Sequence, residues 1–372
     1  MALTDFGALT DLQKKVWSLQ VSKQGRDDNF WMSNGFMGSS TDDTSKPIQK
    51  ITELTKTERG TEAVMPLVGD IGGGVANDNQ LEGNEQPILA DAQTIRIDQW
   101  RNGCRSKGRM SEQATVLRFR VQSKDVLAFW LADSIDEMLF LTAAGRAFTV
   151  NTDGSTRTGS QMPSLSFAAD VVAASTNRLI HAGSAASEAT ITAADTMTWD
   201  LVTQAKAFAK RKRIRPVRMG GKSYYILVLS TEQCRDLEKT SDYKTLQAQA
   251  MPRGLDNPLF SNAKKIINEV VIYDHQKVYN TLGLSSGSKW GAASTIDGAQ
   301  ALLLGAQALG YASLDDGTPG MTESALTDHG NRPALGIYRI IGMLKPQFKS
   351  KYDANAREDY GIVSIKTAAA AS

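Results

Sequence analysis

Apolar residues recur at helical spacing most clearly between Ser111 and Ala144. Val126, Leu127, Trp130, Leu131, Ile135, Met138 and Leu139 form a stripe there, and Gly145 supplies a stop. Phe129 and Phe140 fall outside that stripe, so the helix is expected to be apolar on more than one face. Continuous from Ser111, it would run roughly 50 Å at the helical rise per residue. A second helix is predicted over 196–211, with Met197, Leu201, Ala205 and Phe208 inward and Asp195 as N-cap, and a third over 231–239. The runs 223–229 and 270–273 read as buried strands, whereas 301–309 is apolar throughout and fits strand or helix alike. A last strand is predicted over 360–366, before a tail of alanines, and there is no internal repeat.

The first fifty residues follow neither period. A short helix fits 11–21, but Gly25 to Lys46 is a polar run in which Phe30, Trp31 and Phe36 stand out, too few to build a core of their own. Such aromatics dock onto the parent domain or onto a neighbouring chain. Further on, 63–68 and 94–100 have strand character and are joined by Gly69 to Gln86, which holds Gly72, Gly73, Gly74 and Gly83. A connection this long is functional or disordered in most compact domains. The pattern predicts a two-stranded arm reaching from the body, and an isolated ribbon needs a partner surface to be stable.

Composition changes this picture little. The chain has 372 residues, 41% hydrophobic and 22% charged, enough for one large domain or two ordinary ones. Its net charge of +2 does not mark a dedicated nucleic-acid or membrane binder. Cys104 and Cys234 lie too far apart to suggest a disulfide framework, which points to a reducing compartment. No secretory signal is expected at Met1 to Lys14, and no stretch has the ~18 apolar residues that cross a bilayer.

Three patterns invite a catalytic reading. Gly221, Lys222 and Ser223 resemble the end of a phosphate-binding loop, but Pro216 stands where the first glycine belongs and a strand rather than a helix follows. Gly283-Leu284-Ser285-Ser286-Gly287 matches a nucleophile elbow, with Asp315 or Asp316 and then His329 in hydrolase order. Ser288, Lys289, Trp290 and Gly291 make a poor helix start behind it. The glycines at 72–74 lack the setting of a dinucleotide fingerprint. His181, His275 and His329 are isolated, so no metal-ligand spacing and no cofactor are expected.

Charge is distributed unevenly. Between Gly60 and Ile95 there are six acids (Glu62, Asp70, Asp78, Glu82, Glu85, Asp91) and no base. Between Leu201 and Thr231 there are eight bases (Lys206, Lys210, Arg211, Lys212, Arg213, Arg215, Arg218, Lys222) and no acid. Cations at a helix C-terminus complement its dipole, so part of the basic run can be a solvated face. The rest can meet DNA phosphates or a neighbour's acidic loop.

The residues also resemble a known family. Leu54-Thr55-Lys56, Leu81-Glu82-Gly83-Asn84-Glu85, Met110-Ser111-Glu112-Gln113, Ile214-Arg215-Pro216-Val217, Tyr224-Tyr225-Ile226-Leu227, Asn257-Pro258-Leu259-Phe260, Val270-Val271-Ile272-Tyr273 and Leu303-Leu304-Gly305-Ala306-Gln307-Ala308 occur in an order and spacing similar to tailed-phage major capsid proteins. The resemblance is to the schitovirus-type (Enquatrovirus-like) coat family. It implies an α+β Hong Kong 97-type fold. Its parts would be an N-terminal arm (1–48), an extended loop (49–110), a peripheral domain (111–211 and 341–372) with spine helix 111–144, and an axial domain (212–340). Leu127, Trp130, Leu131, Ile135, Met138 and Leu139 would form the spine-helix core. The implied partners are copies of the chain in hexamers and pentamers, a portal protein, scaffolding and decoration proteins, and packaged double-stranded DNA, with no membrane. The implied location is the virion, after assembly in the host cytoplasm. Glu62, Asp70, Asp78, Glu82, Glu85 and Asp91 are expected to meet Lys210, Arg211, Lys212, Arg213 and Arg215 of another copy.

Two other functions stay open on sequence alone: a nucleic-acid binder using 206–222, and a hydrolase built on Ser285. The first leaves the acidic loop unexplained. The second lacks the strand–helix setting of its nucleophile.

Overall fold

The computed structural model describes residues 30–51, 60–68, 74–85, 88, 90–113, 119–219, 221–250, 265–314, 320–324, 327–353 and 356–371. The short helix expected at 11–21, the glycines at 72 and 73, Asp70, Asp315 and Asp316 lie outside them. In chain order the elements begin with α1 (Phe30–Ser33), β1 (Ile48–Ile51), β2 (Glu62–Val68), β3 (Ala90–Arg96), β4 (Asp98–Arg105), α2 (Arg109–Gln113) and α3 (Phe119–Ala144). After a stretch of single 3-10 turns come β5 (Leu179–His181), α4 (Trp199–Arg211), β6 (Val217–Met219), β7 (Lys222–Leu229), α5 (Thr231–Lys239) and α6 (Ser241–Ala250). The last third is mostly sheet: β8 (Lys265–Ile267), β9 (Val270–Asp274), β10 (Gly298–Leu304), β11 (Leu309–Ser313), β12 (Gly320–Ser324), β13 (Ala334–Leu344), β14 (Gln347–Ser350), β15 (Ala356–Asp359) and β16 (Ile362–Ala368).

The continuous apolar runs have a simple cause. A seven-stranded sheet, ordered β5-β16-β10-β7-β9-β8 with β6 beside β7, is buried on both faces, so its strands need no polar alternation. Ile226 and Val228 of β7, Leu302 and Leu304 of β10, and Val271 and Tyr273 of β9 face the core that holds α3. Their neighbours Tyr225, Leu227, Leu229, Ala301, Leu303, Val270 and Ile272 face the opposite core with α4 and α5. The ambiguous 301–309 run is thus a strand that stops at Gly305, followed by a turn into β11.

A second sheet of five strands runs β1-β11-β13-β12, with β4 against the free side of β13. Helix α3 lies on it: Trp130 stacks on Trp100 of β4 with ring centroids 5.3 Å apart, and Leu131 and Ile135 join a core with Ile337 and Ile341 of β13. The 26 residues of α3 span about 39 Å. Residues 114–118 fall outside the described set, and helix is described on either side of them, as α2 and α3. Leu127, Leu131, Ile135, Met138 and Leu139 are buried and Trp130 is half-buried, while Val126 of the expected stripe is 47% exposed. From Met138 to Ala144 every residue is buried, which is why Phe140 fits off the stripe.

Strand pairing corrects several expectations. Strand β16 pairs β10 and β5 in the seven-stranded sheet, and its Ile362 shares a core with α3. A boundary at 340/341 would cut through β13. Of the segment 49–110, β1 and β4 are body strands, leaving the ribbon of β2 and β3 to project. Helix α4 begins at Trp199, capped by the Thr198 hydroxyl accepting from the Leu201 amide. Asp195, the expected cap, instead accepts from the amide and hydroxyl of Thr192.

The N-terminal aromatics dock onto their own chain. Phe30, Trp31 and Phe36 are buried against Phe140 of α3 and Tyr273 of β9, with T-shaped or tilted ring pairs at 4.9–5.8 Å.

Candidate assembly surfaces

The ribbon is seated at its base and bare beyond it. Ala63, Met65 and Ile95 are buried with Ile51 of β1, Ala312 of β11 and Leu344 of β13. Gly310 and Gly342 make that seat possible: a Cβ on Gly310 would lie 2.8 Å from the Ile95 side chain, and one on Gly342 would lie 2.2 Å from the Arg96 carbonyl oxygen. The ribbon's other face carries Val64, Pro66 and Val68, in register with Thr94, Ala92 and Ala90. Val64 is 56% exposed, Val68 70%, and Leu81 at the tip 61%. The arm is therefore more apolar than its acids suggested, on a face that nothing in this chain covers among the described residues.

The acids sort into two groups. Glu62 pairs with Arg96 across the ribbon, and Asp91 takes Arg357 at 2.7 Å and the Lys349 amide. Burial raises the Asp91 carboxyl and the Arg357 contact with two backbone amides outweighs it, leaving the group below the usual carboxylate range. Glu62 thus ties the ribbon's two strands together, and Asp91 fixes the ribbon to its own body. Asp78, Glu82 and Glu85 are exposed at the tip, Glu85 accepting only the Gly83 amide and Glu82 only the Gln80 side chain among described partners.

The basic segment is also partly occupied within the chain. Lys206 and Lys210 pair with Glu269, and Lys212 with Asp353. Arg215 donates to the Thr44 hydroxyl, and Arg211 lies over the Phe208 ring at 5.4 Å. Arg211, Arg213, Arg218 and Lys222 have exposed side chains. Lys210 and Lys212 therefore hold this chain's own acids.

Asp353 belongs to a buried ion network that sequence reasoning missed. It accepts from Arg178 at 2.7 Å, and Asp359 accepts from Lys345 at 3.1 Å, with all four side chains no more than 4% exposed. Burial opposes ionisation of Asp353, but Lys212, Arg178 and Ser350 outweigh it and hold the carboxyl below its usual range. The Ser175 amide and the Gln347 side chain also donate to Asp359. The network ties the β14–β15 hairpin to the turn at 176–178 and to the end of α4. Its two buried ion pairs join residues 14 and 175 apart in sequence, so no local pattern signals it.

Among the described residues the catalytic patterns find no catalytic geometry. Ser285 is exposed in a turn, with no strand directly before it and no helix after it. Gly221 has φ +78° in the tight turn between β6 and β7, as the sequence predicts. Among the described residues, no three His, Cys, Asp or Glu side chains are placed to hold a metal, and no helix is long and apolar enough to cross a membrane.

A projecting ribbon, a long helix across one sheet and a second doubly covered sheet define an α+β shell-forming subunit, similar to Hong Kong 97-like phage capsid proteins. The capsid protein of Ralstonia phage GP4 superposes with a TM-score of 0.78, at 25% identity over 96% of each chain. That of cyanophage Pam1 superposes at 0.75, at 19% identity over 100% of each. The family model described as phage capsid protein matches residues 4–371, and the major capsid protein of Pseudomonas phage KPP25 is 40% identical over 375 residues, 98% of either chain. The chain belongs to the phage capsid protein family: it is a phage major capsid protein, a structural part of the virion.

Proposed function

We propose that this chain closes an icosahedral head, through hexamers and pentamers, around double-stranded DNA. The observation that carries the reading is the full-length likeness to a major capsid protein joined to a ribbon with an uncovered apolar face. Assembly takes place in the bacterial cytoplasm, with a portal protein at one vertex and scaffolding and decoration proteins as further partners. Within the family we place the chain with the schitovirus-type (Enquatrovirus-like) coats, on the order and spacing of the peptides quoted above.

In this reading the five-stranded sheet with α3 is the peripheral domain. The seven-stranded sheet with α4 and α5 is the axial domain, with β16 as one of its strands. The ribbon's acids, Asp78, Glu82 and Glu85 foremost, meet a neighbouring copy. The exposed Arg211, Arg213, Arg218 and Lys222 face the genome, where phosphate contacts are non-specific and weaken with salt. Electron microscopy of the purified full-length chain tests the proposal: closed shells support it, and a chain that stays monomeric under all assembly conditions overturns it.

A further inference from the structure

We propose that Asn102 is a self-modifying site: the Gly103 backbone nitrogen attacks the Asn102 side-chain amide, ammonia leaves, and water opens the resulting imide to aspartate or isoaspartate within β4. The inference is independent of the shell-forming reading. Its first support is sequence. The chain has two Asn-Gly steps, Asn34-Gly35 and Asn102-Gly103. Glycine has no Cβ beside the attacking nitrogen and restrains the backbone least, so it hinders such an attack less than any other residue. Sequence by itself gives the two steps equal standing.

The second support is geometry. The Gly103 N–H donates to Asn102 Oδ1 at 2.8 Å, so the attacking nitrogen and the side-chain amide are already in contact. Cγ is bonded to that oxygen and comes within reach by rotation about the soft Cβ–Cγ torsion. Asn102 and Gly103 are both exposed, and Asn102 borders a groove of about 610 Å³ between β4 and residues 159–165, through which water reaches the imide. Among the described residues β4 is held on one side only, by β13, where Gly103 stands opposite Gly336. Glycine weakens a strand interior, and a glycine pair gives the backbone freedom to close the imide ring.

The third support is contrast within the same chain. At Asn34-Gly35 the Gly35 N–H donates to the Met32 carbonyl at 3.1 Å, and the Asn34 side-chain nitrogen donates to the Phe30 carbonyl at 2.8 Å. Both reacting groups there face other partners, in a segment pinned by the buried Phe30, Trp31 and Phe36. At Asp98-Gln99 the Gln99 N–H donates to Asp98 Oδ1 at 2.7 Å, the same arrangement as at 102–103. That side chain is a carboxyl with no ammonia to lose, and it also accepts the Ser166 amide. Asn102 combines a displaceable amide with an unhindered nitrogen already against it. Conversion adds a carboxyl to the groove beside Asp98 and Arg101. The isoaspartate product also lengthens the backbone by a CH2 group, which Ile337 across the ladder cannot match. The sheet beneath α3 therefore carries a built-in, time-dependent change.

Peptide mapping by mass spectrometry tests the inference. Purified full-length chain is held folded in mildly alkaline buffer, with a parallel sample unfolded in denaturant, and both are digested after matched times. The product is read as the mass gain of an amide turned to an acid, and as isoaspartate by labelling with a protein isoaspartate methyltransferase. In the folded chain Asn102 should convert faster than Asn34 by about tenfold or more, a scale within reach of the positioning of reacting groups. In the unfolded chain the two steps should convert at similar rates, since the dipeptide is the same. Asn102→Gln, whose longer side chain disfavours the ring, should lose the isoaspartate label. A folded chain in which Asn34 converts as fast as Asn102, or in which Asn102 stays intact while the unfolded chain converts, overturns the inference. A label undiminished in Asn102→Gln places the reaction elsewhere and overturns it too. None of these results touches the shell-forming reading.

Discussion

Asp136, buried in the middle of α3, accepts the backbone N–H of Phe30 through Oδ2 at 2.7 Å. That hydrogen bond joins the N-terminal segment to the spine helix across more than a hundred residues of sequence. It also places a carboxyl, 2% exposed, among Phe30, Trp31 and Phe140.

Burial pushes the Asp136 carboxyl up to about 6, against the pull of the Phe30 amide and the Lys277 charge. The folded chain therefore binds a proton that the unfolded chain, with an ordinary carboxyl, has already released above about pH 4. The contribution of Asp136 to stability falls as pH rises from about 4 to about 6, then levels off. Subtracting the thermal-unfolding profile of Asp136→Asn from that of the parent chain should reveal this decline. A flat or rising difference would contradict the assignment.

Leu131 and Val126 lie on the same helix with opposite exposure, 3% and 47%. Leu131→Asp buries an unpaired charge and should cost several kcal/mol or unfold the chain, whereas Val126→Asp should change stability by about 0.5 kcal/mol or less. Circular dichroism melts of the two soluble variants, with aggregation recorded, check the contrast.

Lys345 and Asp359 are each 1% exposed and 3.1 Å apart. Lys345→Met removes one charge and strands the other, at a cost of about 3–5 kcal/mol. The loss should appear as a lower denaturation midpoint with little change in denaturant slope.

How far these features could be read in advance differed by element. Helix α3 was legible because its burial follows its periodicity, and β7, β9 and β10 because a doubly covered sheet writes an unbroken apolar run. Strand β13 was not, since Gly336, Arg339 and Gly342 interrupt the run. The sheet that β16 joins was equally hidden, because a strand's partner leaves no mark in its own residues. At the surface, the tip acids Asp78, Glu82 and Glu85 were found by charge alone. The partners of Lys210 and Lys212 could not be, because Glu269 and Asp353 meet them only through folding.

Gly342 sits under the ribbon with room for no side chain. Gly342→Ala should lift the Arg96 carbonyl from its seat, costing about 1–3 kcal/mol as other overpacked sites do. Limited proteolysis should then cut the 60–96 segment faster than in the parent chain, while the two core sheets stay protected.

Ser285→Ala should leave assembly and stability unchanged, since the Ser285 turn lacks the strand and helix of a nucleophile elbow. A fluorophosphonate probe should not label the parent chain at Ser285. Labelling that disappears in the variant would reopen the hydrolase reading.

The most direct test of the central claim is cryo-electron microscopy of the full-length chain expressed in bacteria, with and without other head proteins. The account predicts closed shells of uniform diameter, in whose maps each ribbon crosses onto the adjacent subunit. A persistent monomer that binds DNA in a salt-sensitive manner and forms no shell would contradict it.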